Sequence, residues 1–401
     1  MKKYNHMKGS FYVEVNCQQD NYEDERICGD VFVTKRVKEE GRIIAVLSDG
    51  MGHGVKANIL ATLTSTLAAN FTAEHKDFKT TAEMIMNTLP VCSIKKISYS
   101  TFTIVDINTY TGEVEILEYD NPECFVIRGK VPLKLTWEKL ILDSENNKGK
   151  ELRSTKFTAQ KEDRILFWSD GISQSGLGTR KYPLGWGIDE AKVFALSIVE
   201  QTPFISARKL ARRIVNMAVM NDSYHPKDDI SCAAIYFREP RKLLLCSGPP
   251  YEKERDVELG DIVRQFEGKK ILCGATTADI VSRELGETIV DNFEFEDPDL
   301  PPTSNMKGVD LITEGILTLS KVSNILLNFD NNTNLGRGPA DQIVQLLLKS
   351  DKITMVIGTR INIAHQDPNL PVELEIRRTV MKRIAKLLEE KFLKEVTIKY
   401  L

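Results

Sequence analysis

Ser48-Asp49-Gly50-Met51-Gly52-His53-Gly54 follows the apolar run Ile43-Ile44-Ala45-Val46-Leu47 and precedes a long stretch with helical spacing. The run reads as a buried strand. The stretch beyond it predicts a helix over about Lys56 to Ala73, with Ile59, Leu60, Leu63, Leu67 and Ala68 on its apolar face. Asp49 therefore stands where a strand ends and a helix begins. Three glycines in five residues let the backbone approach a ligand closely and take φ values that other residues avoid. A carboxylate in that setting, beside open carbonyls and amides, suits a hard metal ion or a phosphate. Two plainer readings compete. One is a Gly-rich turn with Asp49 as a helix cap. The other is a nucleotide phosphate loop, but the Lys-Ser/Thr that ends a P-loop is missing.

Three further segments share the design. Gly29-Asp30 opens the strand Cys28 to Val33. Ser169-Asp170-Gly171 closes the apolar run Arg164 to Trp168. Asp228-Asp229 precedes the strand Cys232 to Phe237. A hairpin between the Asp30 and Asp49 strands is the natural connection. If the strand ends converge, four or five carboxylates meet, and like charges a few ångströms apart need cations beside them. Oxygen ligands completed by water describe magnesium or manganese. Two such ions activate water and clamp phosphate oxygens, which is phosphoester hydrolysis without a covalent protein intermediate.

Composition narrows the alternatives. The chain has 401 residues, 42% hydrophobic and 28% charged, as expected of two or three soluble domains. A formal net charge of −3 provides no basic field for nucleic acid or anionic membrane. No apolar run reaches the ~18 residues of a membrane span, and Met1 to His6 leads into no signal-peptide core. Seven dispersed Cys without a Cys-x-x-Cys pair read as reduced thiols, hence a cytoplasmic protein without a Cys-rich zinc site.

Along the chain, Phe11 to Val15 alternates as a strand, and Gln18 to Arg26 is a polar loop. Phe78 to Leu89 predicts a second helix. Ser100 to Ile107, Glu113 to Leu117 and Cys124 to Arg128 predict an antiparallel meander, broken at Asn121-Pro122. Ser173 to Ile188 holds four glycines and reads as a surface flap, followed by helices near Asp189–Glu200 and Ile205–Met220. Glu239-Pro240-Arg241-Lys242 is the best boundary, dividing a domain of residues 1–239 from one of residues 240–401. Beyond it, apolar runs end in Ser247-Gly248, Gly274, Thr313-Glu314-Gly315 and Gly358, and helices intervene. This rhythm predicts a small α/β domain.

Taken in order, Gly29-Asp30, Asp49-Gly50-Met51-Gly52-His53-Gly54, Ser169-Asp170-Gly171 and Asp228-Asp229-Ile230-Ser231 resemble the metal-dependent protein phosphatases of the type 2C fold. The Asp-Gly-Met-Gly-His-Gly string is similar to the bacterial SpoIIE-type serine phosphatases in particular. The resemblance covers about residues 10 to 238. It implies an α+β fold, an α-β-β-α sandwich with two Mn²⁺ or Mg²⁺ ions at one edge of its sheets. It further implies that Asp49 bridges the ions, that Asp30 and the Gly50 carbonyl bind one, and that Asp170 and Asp228 bind the other. Asp228 takes the first position of the family's Asp-Asp/Asn pair and is preferred over Asp229, which is either a further ligand or a turn residue. His53 either orients water or phosphate or is a turn histidine. The segment from Ser173 and Gln174 to Gly187 matches the family's mobile flap in position. No phosphate-binding Arg stands out; Lys2, Lys3 and Arg26 are candidates by position.

The implied activity is that of a metal-dependent serine/threonine protein phosphatase acting in bacterial signalling, its substrate a phosphoserine on a small anti-sigma-factor antagonist. A catalytically silent signalling scaffold and a hydrolase of a small phosphorylated metabolite are the alternatives. The resemblance leaves residues 240–401 unexplained. There, Gly274 to Asp279 either presents amides to an anion or is a plain capped turn. The domain either binds a regulatory ligand or protein, or serves a homodimer as its platform.

Overall fold

The computed structural model describes residues 12–37, 39–74, 77–88, 100–145, 147–329, 333–360, 371–392 and 394–401, with the side chains of 371–376 excepted. The chain forms two compact units, Met1–Glu239 and Pro240–Leu401. In the first, the elements are β1 (Tyr12–Asp20), β2 (Asp30–Val37), β3 (Arg42–Gly50), α1 (Gly54–Glu74), α2 (Phe78–Thr88), β4 (Ser100–Asn108), β5 (Glu113–Tyr119) and β6 (Phe125–Arg128). They continue with β7 (Val131–Pro132), β8 (Glu138–Ile141), β9 (Glu151–Thr158), β10 (Asp163–Trp168), α3 (Asp170–Gln174), α4 (Ile188–Gln201), α5 (Ala207–Asn221) and β11 (Ile230–Arg238).

Two antiparallel sheets result, in the orders β2-β3-β4-β5-β9-β8 and β1-β11-β10-β6-β7. β3 is apolar from Ile43 to Leu47 because both its faces are covered there. Ile43, Ala45 and Leu47 meet Phe167, Ala233 and Ile235 of the other sheet. Ile44 and Val46 turn to the opposite side, where Ala68, Ala69 and Ile85 of α1 and α2 pack. On the far side of the second sheet, Trp168, Cys232 and Ala234 bury against Ala195, Ile198, Leu210 and Ile214 of α4 and α5. The layers thus run α-β-β-α, the α+β sandwich expected from the sequence.

Two expectations fail for physical reasons. α1 buries Ala57, Ala61, Thr64, Ser65, Ala68 and Ala69, while Ile59 is 60% and Leu63 42% exposed. Small side chains let the helix lie almost on the strand: a Cβ added to Gly50 would stand 2.1 Å from the Ala57 carbonyl oxygen. Close approach outweighs the bulk of the larger residues. The meander also ends early. β6 pairs with β10 and β7, and β5 pairs with β9, because the break at Asn121-Pro122 carries the chain from one sheet to the other.

The second unit continues with β12 (Lys242–Ser247), α6 (Asp256–Gln265), β13 (Lys269–Cys273), α7 (Ala275–Leu285), β14 (Val290–Asp291), β15 (Ser304–Met306) and β16 (Val309–Thr313). After them come α8 (Ile316–Asn328), α9 (Pro339–Lys349), β17 (Lys352–Ile357), α10 (Pro371–Glu390) and β18 (Glu395–Tyr400). Its sheet has the order β14-β15-β16-β13-β12-β17-β18, parallel from β16 to β18 with an antiparallel edge. α6 and α7 cover one face, and α8, α9 and α10 cover the other. It is a smaller α/β unit whose strands, buried on both faces, read as continuous apolar runs. All six described cysteines are free. Among the described residues, no helix is long and apolar enough to cross a membrane.

Candidate metal centre

Strand pairing brings the first two carboxylates together. Asp30 opens β2, Asp49 lies one residue before the end of β3, and the two are register partners. The other three arrive from the second sheet. Asp170 begins α3 just after β10, and Asp228 and Asp229 immediately precede β11. β10 and β11 are neighbours, so their adjoining ends lie side by side.

Packing at this edge is backbone-tight. A Cβ on Gly29 would stand 2.6 Å from Asp229 Oδ2, and one on Gly171 2.2 Å from the Asp229 carbonyl oxygen. Asp30 and Asp229 are buried, at 2% and 3% exposure, while Asp49, Asp170 and Asp228 are half-buried. At this edge three carboxylate oxygens are buried without a hydrogen-bond partner: Asp30 Oδ2, Asp170 Oδ1 and Asp229 Oδ2. Buried carboxylate oxygens left so are costly unless something cationic compensates them.

The electrostatics agree. Burial pushes the Asp30 carboxyl up to about 8 against hydrogen bonds from Ser231 and Ser169, and the charges of Asp229 and Asp228 add to the rise. Asp49 is raised well above the usual carboxylate range by burial, then by Asp30 and Asp170. Asp228 rises to about 6 through burial and Asp170, with the His53 ring pulling the other way. The five carboxylates are thus one interacting group. Among the described residues, no three His, Cys, Asp or Glu side chains are preformed as a metal cluster. The donor set is nonetheless all oxygen and short of positive charge, which fits hard divalent ions.

Neighbours fix individual ligand candidates. Gln174 Nε2 donates to Asp170 Oδ2 at 2.5 Å. The Tyr22 amide donates to Asp229 Oδ1 at 3.0 Å. The Tyr22 ring stacks on His53, with centroids 4.3 Å apart and planes 10° from parallel. His53 Nδ1 lies 2.9 Å from Glu25 Oε1. The β1–β2 loop therefore wraps the Gly52–Gly54 turn, a role that "polar loop" did not convey. Tyr22 acts on Asp229 through its amide, so its side chain carries no signal for that contact. Gln19 ties the strands behind the site, donating to Ser231 Oγ at 2.9 Å and to the Asp30 carbonyl at 3.1 Å. Arg26 is exposed, and Lys2 and Lys3 lie outside the described residues.

The glycine-rich segment after Gln174 is pinned at its base rather than free. Trp186 is 5% exposed, within the core beneath α4 and α5. The amides of Trp186 and Gly187 donate to the carbonyls of Ser175 and Ser173, both at 2.8 Å. Leu184, at 90% exposure, marks its outer end.

Residues 39–238 match the family model described as Stage II sporulation protein E (SpoIIE). No curated protein matches the sequence. Among solved structures, the chain is similar to the phosphatase domain of SpoIIE from Bacillus subtilis, at 15% identity, covering 57% of this chain and 94% of that one, with a TM-score of 0.44. It is also similar to RsbX in complex with magnesium, at 18% identity, 56% and 95% coverage and a TM-score of 0.40. The RsbU and RsbW domains of a Mycobacterium tuberculosis protein give 18% identity, 63% and 67% coverage and a TM-score of 0.44. At these values the likenesses assign no residue a role.

Proposed function

We propose, on the premise that residues 39–238 form a SpoIIE-family domain, that the N-terminal unit is a metal-dependent serine/threonine protein phosphatase. The observation that carries this reading is the meeting of five carboxylates from two sheets, three of them with a buried oxygen lacking any protein partner. Asp30, Asp49, the Gly50 carbonyl, Asp170, Asp228 and Asp229 would hold two Mn²⁺ or Mg²⁺ ions. Asp49, whose neighbours include both Asp30 and Asp170, would be the ligand shared between them. Such ions acidify water for in-line attack on a phosphate and stabilise charge on its oxygens.

The chain's own groups do the positioning. Gln174 holds Asp170 and the Tyr22 amide holds Asp229, so neither carboxylate swings away as substrate enters. Glu25 and the Tyr22 ring fix His53 beside Asp228, where its imidazole would orient water or phosphate. The substrate class follows from the resemblance: a phosphoserine on a small protein, an anti-sigma-factor antagonist in cytoplasmic bacterial signalling.

The test is phosphate release from p-nitrophenyl phosphate and a phosphoserine peptide, in EDTA, Mg²⁺ or Mn²⁺, by wild type and Asp49→Asn. Manganese- or magnesium-dependent turnover that Asp49→Asn abolishes is the expected result. Absence of turnover with every metal, in protein shown to be folded, sinks the reading in favour of a silent scaffold.

A further inference from the structure

The parallel strands of the second unit are wound in two directions. From β12 the chain steps to β13 and β16 with α6 and α7 on one face; it then returns to β17 and β18 with α8, α9 and α10 on the other. The winding reverses between β12 and β17. Open sheets of this kind take ligands outside the carboxyl ends of their strands, near that reversal. Here four strand ends lead into glycines: Gly248, Gly274, Gly315 and Gly358. At the reversal itself two of them abut, since a Cβ on Gly358 would stand 2.2 Å from the Gly248 carbonyl oxygen. A cleft of 1220 Å³ opens beside them over the ends of β12, β13 and β16.

We infer that this cleft binds a nucleotide, with its phosphate at the start of α7. α7 begins one residue after β13, and its N-cap, Gly274, offers no side-chain cap. The helical ladder opens with the Ala278 amide bonding the Gly274 carbonyl, so the amides of residues 275–277 lack intrahelical acceptors. An amide cluster at a helix start attracts an anion. A separate observation points the same way. Ser247 ends β12, is 1% exposed and lines the cleft, yet its hydroxyl has no hydrogen-bond partner. Arg377 of α10 also lines the cleft, its Nη1 2.6 Å from where a Cβ on Gly248 would stand.

The remaining walls select what the phosphate is attached to. Phe293 and Phe295 border the cleft at 88% and 74% exposure, an apolar margin suited to a planar base. Glu314 lies just before Gly315, the N-cap of α8, and accepts from the Thr318 amide at 3.2 Å. Its carboxylate excludes a second anion there and offers an acceptor for sugar hydroxyls. A free phosphate would leave most of the cleft unfilled. No G-x-G-x-x-G follows β12: after Gly248 the chain reads Pro249-Pro250-Tyr251-Glu252-Lys253, with no further glycine before α6 starts. The anion cradle therefore falls on the second crossover rather than the first.

The experiment is calorimetric titration of the full chain in EDTA, which keeps phosphates from the N-terminal carboxylates. The probes are AMP, ATP, GTP, NAD⁺, adenosine and inorganic phosphate. At least one of the four nucleotides should bind saturably, with adenosine and inorganic phosphate each weaker by about tenfold or more. Ser247→Ala and Arg377→Met should each weaken that nucleotide by roughly five- to tenfold, Ser247→Ala at unchanged melting temperature. Ser247→Ala removes only an unpartnered hydroxyl, so its fold is safe. No binding of any nucleotide at about 1 mM, adenosine binding as well as its nucleotide, or binding indifferent to both substitutions overturns the proposal.

Discussion

Asp30 and Asp49 face each other as register partners across β2 and β3, so two carboxylates oppose one another on adjacent antiparallel strands. Like charges so placed destabilise a sheet, and the pair persists only where something else requires it. Replacing Asp49 by Asn removes one charge and keeps the shape. Metal-dependent phosphate release should fall by roughly 100-fold or more, while the metal-free protein should melt no lower than wild type. A lower melting temperature in EDTA would show that Asp49 is there for the fold.

The raised carboxyls make metal-free stability fall with pH. Asp30 titrates at about 8 in the fold, against an ordinary 3.8. The folded state thus holds its proton more tightly than the unfolded chain. Its stabilising contribution is whole below pH about 4 and gone above about 8. Melting in EDTA should drop across that window. Mn²⁺ should restore it, with a larger gain at pH 8 than at pH 5, because deprotonated carboxylates bind metal better. Equal gains at both pH values would contradict the coupling.

Gly50 and Gly52 separate close packing from backbone freedom. Gly50→Ala drives a Cβ to 2.1 Å from the Ala57 carbonyl, and backbone cannot yield cheaply; a loss of about 2 kcal/mol or more is expected. Gly52 has φ +93° but nothing within 4 Å of its Cβ position, so Gly52→Ala should cost only about 1–2 kcal/mol of strain. Urea denaturation of both variants ranks them, and the reverse order would refute this reading.

On α1, Ile59→Ser should leave stability within about 0.5 kcal/mol of wild type. Ala61→Leu should lose about 1–3 kcal/mol by overpacking against the sheet. The larger apolar residue is the dispensable one because its side chain is 60% exposed, while Ala61 is fully buried. The same denaturation experiment checks the pair.

Glu118 supplies a second pH signal, away from the carboxylate edge. It is 1% exposed and accepts from the Cys124 amide at 2.8 Å and Arg153 Nη2 at 2.9 Å. Burial nonetheless pushes it up to about 7 against those donors. Its contribution is present below pH about 4 and lost by about 7, amounting to roughly 1–3 kcal/mol. Glu118→Gln should flatten the stability-against-pH curve over that interval in calorimetric melts. An unchanged slope would place the titration elsewhere.

The carboxylates were legible because each sits beside a strand end, and a strand end is a local event written in a few consecutive residues. β3 could be read for the same reason: a run apolar on both faces has few other uses. The buried face of α1 was not legible. Side-chain size favours Ile59 and Leu63, and only the distance to β3 reverses the choice. Nor does the sequence around Asn121-Pro122 say which sheet receives the next strand. Trp186, set among glycines, reads as part of a surface flap; its burial depends on α4 and α5, elements that come later in the chain. Tyr22 is recognisable only in three dimensions, since any residue but proline brings an amide to Asp229.

Asp30 and Asp49 belong to one sheet of the sandwich, whereas Asp170, Asp228 and Asp229 come from the ends of two strands of the other. A cation gripped by both sets would act as a rivet at the open end of two plates. The plates could not slide or part there until the rivet was lost, and resistance to shear would become a property of ion exchange. Filling the site should slow unfolding even where it barely moves the equilibrium, and chelation should set the pace at which the sandwich comes apart.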